Sequence, residues 1–95
     1  MSAEEFKHRL DSKEILNLVD VRTPSEFEDF NLGGIHLPMD GLLLRINQIE
    51  HLQNQELILI CGTGLLSGIA VKILAKKGFK HAHNLEGGIE AYLSL

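Results

Sequence analysis

Ile58-Leu59-Ile60-Cys61-Gly62-Thr63-Gly64-Leu65-Leu66-Ser67 is the stretch on which the reading of the fold turns. With Leu57 in front it opens as an unbroken apolar run of strand length, the pattern of a central parallel strand covered on both faces. Two glycines interrupt the run. From Leu66 to Lys77 apolar residues then recur at helical spacing, with Ile69, Ile73 and Leu74 expected to face inward. Gly78 is placed to stop this helix, and Lys76 and Lys77 stand in its last turn, where cations complement the dipole. Strand, glycine loop and helix in this order form part of a parallel α/β arrangement.

Working outward, the same alternation continues on both sides. Ser2 is placed to cap a helix over residues 3–11, with Glu4 and Glu5 in its first turn and Phe6 and Leu10 on its inner face. Ile15 to Val21 reads as a buried strand. Thr23-Pro24-Ser25-Glu26 is a helix start, with Thr23 as cap, Pro24 at the first position and Glu26 as the reciprocal partner of a capping box. Ile35 to Leu37 reads as a short strand stopped by Pro38, and Gly41 to His51 as a helix with Leu42, Leu43, Ile46 and Ile49 in its stripe. His81 to Leu85 is the last strand and Gly88 to Leu95 a closing helix. The expected fold is α/β, a single domain over residues 1–95 with a central parallel sheet of four to five strands and helices on both faces. In open sheets of this kind the functional crevice lies beyond the carboxyl ends of the strands. That rule puts Asp20-Val21-Arg22 and Cys61-Gly62-Thr63-Gly64 on one rim.

Composition narrows the function classes. Nine Lys and Arg against thirteen Asp and Glu leave a net charge of −4, and the mean hydropathy of +0.05 is that of a globular chain. No basic stripe is present, so a nucleic-acid partner is not expected. The apolar run from Leu57 to Ala75 is broken by glycines, Ser67 and Lys72, so no membrane span is expected, and the acidic N-terminus lacks the features of a signal peptide. One cysteine allows no internal disulfide and no cysteine cage for a metal, and a lone thiol fits a reducing compartment. The expectation is a cytoplasmic monomer. His8, His36, His51, His81 and His83 are scattered. His81 and His83 would share one side of a strand but have no evident third ligand, so neither a metal nor an organic cofactor is expected.

Cys61 carries the chemistry. Glycines let successive backbone N–H groups turn into one concavity, and the following helix adds free N–H groups and the positive end of its dipole. An anion on the cysteine sulfur would sit in that cradle, which would lower the thiol pKa below its ordinary value. Two plainer readings stand beside this one. A cysteine after an apolar strand can be a small core hydrophobe, and a Gly-x-Gly turn can be a nucleotide loop, although no Walker lysine follows it here.

Four segments resemble the rhodanese (sulfurtransferase) family in order and spacing. Leu18-Val19-Asp20-Val21-Arg22-Thr23-Pro24-Ser25-Glu26-Phe27 resembles its strand-turn-helix opening, and Gly33-Gly34-Ile35-His36-Leu37-Pro38 its Gly-Ala-x-Asn-Ile-Pro segment. Cys61 to Ser67 resembles its active-site loop, and Asn84-Leu85-Glu86-Gly87-Gly88-Ile89-Glu90-Ala91-Tyr92 its C-terminal signature. The resemblance implies that Cys61 is a nucleophile that takes a sulfane sulfur from a donor such as thiosulfate or a persulfide. It then passes that sulfur to cyanide or to a thiol, including one on an acceptor protein. Gly62, Thr63, Gly64, Leu65, Leu66 and Ser67 would form the loop that binds the persulfide, and Asp20 and Arg22 would be rim or structural residues.

Three departures qualify that picture. Leu66 stands where the family often has arginine, so no guanidinium at that place can pair with an anionic donor. Phe30 stands where the family often has histidine, and no catalytic role transfers to it. Ser67, six residues after Cys61, stands where a phosphatase loop needs arginine, which argues against phosphoryl chemistry. Thiosulfate is therefore expected to be a poor donor, with Arg22 the nearest candidate cation. The competing function is a non-catalytic rhodanese-like module that docks a partner through an apolar Leu65-Leu66 rim.

Overall fold

The structure, a computed structural model describing residues 1–95, runs α1 (Ala3–Asp11), β1 (Leu18–Asp20), α2 (Pro24–Asp29), β2 (Ile35–His36), β3 (Leu57–Ile60), α3 (Leu65–Lys76), β4 (Ala82–Asn84) and α4 (Gly88–Leu93). Two 3-10 segments, Met39–Gly41 and Ile46–Leu52, lie between β2 and β3. The four strands pair in parallel in the order β2-β1-β3-β4, so the run Leu57–Ile60 is central as expected.

Alternation along β3 divides the interior into two layers. Leu57, Leu59 and Cys61 face one layer with Val19, Val21, Leu37, Leu42, Ile49, Leu52, Ala70, Leu74 and Phe79. Ile58 and Ile60 face the other with Phe6, Leu18, Leu85 and Ile89. Helix α3 and the 3-10 segments cover the first face, and α1 and α4 cover the second. Phe6 of α1 meets Tyr92 of α4 edge-on, with ring centroids 5.5 Å apart.

The local signals read from the sequence act where they were placed. Ser2 Oγ accepts from the Glu5 amide, Thr23 and Glu26 close a reciprocal capping box, and Gly78 turns left-handed (φ +93°) after α3. Three differences have physical causes. Strand β1 is shorter than expected: Ile15 is 97% exposed, and the chain joins the sheet only where the Asn17 carbonyl accepts from Ile58 N–H. The expected α-helix over 41–51 is absent, because Ile46, Ile49 and Leu52 recur every third residue. That period matches a 3-10 turn, and the segment takes that form while Leu43 and Leu44 stay exposed. Helix α3 starts at Leu65 and buries Ser67, Ala70 and Leu74, which rotates Ile69 outward to 44% exposure. His36 stacks on Phe27 at 4.3 Å, and its Nε2 lies 2.8 Å from the Arg22 carbonyl. No helix is long and apolar enough to cross a membrane.

Candidate active site

Cys61 leaves β3 with its side chain on the α3 face and only 2% of its surface exposed. Its sulfur is the focus of the loop that follows. The Gly64 amide approaches Sγ at 3.1 Å, the Ser67 amide at 3.4 Å and the Ser67 hydroxyl at 3.2 Å. Burial pushes the Cys61 thiol up, but hydrogen bonds from the Ser67 hydroxyl and from the Ser67, Gly64 and Thr63 amides outweigh it. The thiol is held below its ordinary value of 9.0.

The second glycine pair explains why those amides face the sulfur. Helix α4 begins directly beneath the loop. Ile89 N–H donates to the Cys61 carbonyl and Glu90 N–H to the Gly62 carbonyl, each at 3.0 Å. With those carbonyls drawn toward α4, the chain turns back and the next amides point at Sγ. This close approach excludes side chains at two places. A Cβ on Gly88, whose φ is +64°, would lie 2.4 Å from the Gly62 carbonyl oxygen, and one on Gly64 (φ +90°) would lie 2.9 Å from Gly87 N. Glu86-Gly87-Gly88 is therefore the platform on which the cysteine loop rests.

Above the sulfur lies an open cleft of about 390 Å³. Cys61, Gly62, Thr63 and Leu66 of the expected loop line it. Gly64 and Ser67 stand behind the sulfur, and Leu65 projects outside at 70% exposure. The opposite wall comes from the turn after β1 and the start of α2 (Val21 to Pro24 and Glu26) and from Pro38, Met39 and Asp40. Val21 and Arg22 lie on the rim where the strand-end rule put them, while Thr23, Pro24, Glu26, Pro38, Met39 and Asp40 were not singled out as site residues, since only the sheet order β2-β1-β3 brings them opposite Cys61.

Arg22 is the one cationic residue on that lining, and its guanidinium is engaged elsewhere. Nε and Nη2 donate to the buried Asp20 carboxylate, Nη1 to the Glu26 carbonyl at 3.2 Å and Nη2 to the Phe30 carbonyl. The pair ties the end of β1 to both ends of α2 and presents no cation to a ligand. His81, just before the edge strand β4, and His83, on it, are both exposed, and His83 Nε2 is 3.6 Å from Glu56.

Known proteins place this architecture. The family model described as "Rhodanese-like domain" matches residues 2–95. The chain is 36% identical over 90 residues to YrkF, a putative sulfur carrier protein of Bacillus subtilis, covering 94% of this chain and 48% of that protein. It is 30% identical over 93 residues to a protein of Allochromatium vinosum named sulfurtransferase, covering 97% and 85%. The crystal structure of a rhodanese-like domain protein from Staphylococcus aureus superimposes with a TM-score of 0.85 at 28% identity, covering 97% of this chain and 88% of that one. The chain thus spans about half the length of the Bacillus relative.

Proposed function

The chain belongs to the rhodanese-like domain family, and from that premise we propose that it transfers sulfane sulfur through a persulfide on Cys61. The observation that carries the reading is the convergence of three hydrogen-bond donors on one cysteine sulfur at the floor of an open cleft. A buried structural thiol needs no such donors, whereas a thiolate nucleophile and a persulfide anion both do.

In the first step the Cys61 thiolate attacks the outer sulfur of the donor. A Cys61–S bond forms, the donor's S–S bond breaks, and the donor leaves as a thiolate, or as sulfite from thiosulfate. In the second step an acceptor thiolate or cyanide attacks the terminal sulfur of the persulfide and returns Cys61 as thiolate. The transferred sulfur keeps its oxidation level, so no external oxidant enters. The donors around Sγ favour the thiolate both as the attacking group of the first step and as the leaving group of the second.

The cleft selects the donor. Its lining holds Glu26 and Asp40, its cation is turned away, and Leu66, Met39, Pro24 and Pro38 make its walls apolar. A thiosulfate dianion meets two carboxylates and no free guanidinium there. A small-molecule or protein persulfide suits the site better, and a thiol-bearing acceptor protein is the matching product side. The test is sulfur transfer to cyanide from thiosulfate and from an alkyl persulfide, with Cys61→Ser as blank. Turnover lost in the blank and favouring the persulfide is expected. The exposed Leu65 and Leu66 beside the cleft favour one second reading, a docking module without turnover. A folded protein that gains no sulfur atom at Cys61 from either donor would establish that reading and overturn the first.

A further inference from the structure

Asn84 ends β4, next to α3, and its side chain is held in one sense. Nδ2 donates to the Gly64 carbonyl at 3.0 Å, and since a carbonyl only accepts, Oδ1 is the atom that faces Ser67, 2.5 Å from its Oγ. Gly68 leaves room for this placement, since a Cβ there would lie 3.3 Å from Nδ2. Ser67 is fully buried, and its Oγ has one hydrogen and two neighbours that accept it, Oδ1 at 2.5 Å and Cys61 Sγ at 3.2 Å.

The two protonation states of the sulfur divide that hydrogen differently. With Cys61 as thiol, S–H donates to Ser67 Oγ and the hydroxyl donates to Oδ1, so every group is paired. With Cys61 as anion, the sulfur needs the hydroxyl hydrogen, and Oδ1 is then left facing Oγ with lone pairs opposed. We propose that Asn84 is a positioning residue that competes with the Cys61 sulfur for the Ser67 hydroxyl hydrogen, and so sets how readily the nucleophile forms its anion. Asn84 is not on the cleft lining and acts through Ser67. The inference rests on the proposed function for its catalytic meaning. Charged groups on the surrounding elements do not explain the arrangement. Arg22, Glu26 and Asp40 line the cleft and form no hydrogen bond to Sγ, Ser67 or Asn84. Lys72 on α3 and Glu90 on α4 are exposed, and the neighbouring His83 pairs with Glu56.

Because Cys61 is the one cysteine, its alkylation by iodoacetamide reports it alone. The rate is measured against pH for the parent chain, Asn84→Leu, Ser67→Ala, the double variant and Asn84→Asp, each checked for folding by its thermal transition. Removing the competing acceptor gives the sulfur the hydroxyl hydrogen outright, so Asn84→Leu should alkylate about fivefold faster near neutral pH, the equilibrium weight of one hydrogen bond. The pH profile should move down by the matching amount. In the Ser67→Ala background the Asn84→Leu acceleration should vanish. Asn84→Asp keeps the size and strengthens the acceptor, so it should slow alkylation, which keeps the inference testable if the leucine variant does not fold. No change or a slower rate in Asn84→Leu would overturn it, as would acceleration by Asn84→Asp. So would an acceleration that persists without the Ser67 hydroxyl, since Asn84 would then act through Gly64. Alkylation needs no sulfur donor, so absence of sulfur transfer with this pattern intact would refute the proposed function alone.

Discussion

Replacing Gly88 with alanine tests the claim that α4 is the platform of the cysteine loop. The added Cβ would stand 2.4 Å from the Gly62 oxygen, 2.5 Å from the Cys61 oxygen and 2.5 Å from the Gly62 carbonyl carbon. All three are backbone atoms, so no side chain can rotate away and the two segments must separate. Two other glycines supply the scale. Gly62 has an ordinary φ and nothing within 4 Å of a Cβ, so Gly62→Ala should change stability by less than about 0.5 kcal/mol. Gly33 has φ +87° and open space, so Gly33→Ala isolates the left-handed strain at about 1 kcal/mol. Gly88→Ala carries that strain (φ +64°) and the backbone overlap as well, and should lose at least about 3 kcal/mol, the range of severe backbone and packing defects. For a domain of this size each kcal/mol moves Tm by about 4–8 °C, so the three variants fall well apart. Thermal and urea unfolding of all three decide the matter. Alkylation of Cys61 in folded Gly88→Ala should also slow, because the Gly64 and Ser67 amides lose their aim at the sulfur. Gly88→Ala no less stable than Gly33→Ala, with unchanged alkylation, would refute the platform.

Three further outcomes are expected. Because the folded Cys61 thiol titrates below its ordinary value of 9.0, the unfolded chain binds more protons between the two values. The stability of the parent chain relative to Cys61→Ser should therefore rise with pH through that window and fall again as pH drops through the folded value, as read by urea unfolding at a series of pH values. Arg22→Ala leaves the Asp20 carboxylate buried at 1% exposure without its partner, and should lose about 3–5 kcal/mol while thiosulfate turnover per folded molecule stays low; retained stability would show the pair to be dispensable. Leu66→Arg puts a guanidinium on the cleft wall, and should raise kcat/KM for thiosulfate about tenfold or more relative to the alkyl persulfide. An unchanged ratio would mean that charge on this wall does not select the donor.

Much of the architecture is legible in local chemistry. Leu57 to Ile60 has to be a strand covered on both faces because no polar residue interrupts it, and it is the central strand β3. Thr23-Pro24-Ser25-Glu26 starts a helix wherever it is placed, because the cap, the proline and the acid satisfy the first turn from within four residues. The 41–51 segment shows where such reading fails. Its leucines and isoleucines match an α-helical stripe and a three-residue period at once, and the choice fell to what Ile49 and Leu52 could bury against the sheet.

The cysteine loop divides in the same way. That Cys61 should follow a buried strand, that glycines should let amides turn inward and that Leu66 should leave the wall without a cation are all properties of neighbouring residues, and the sequence by itself determined them. Arg22 spends its guanidinium within eight residues of chain, whereas the contact of Asn84 with Ser67 spans 17 residues, and α4 reaches the Cys61 and Gly62 carbonyls from still farther along the chain. The Asn84 contacts exist because parallel pairing lays β4 beside β3, so that its last residue reaches the start of α3. A hydrogen bond needs its partner within about 3 Å. Only the tertiary structure decides which distant groups come that close.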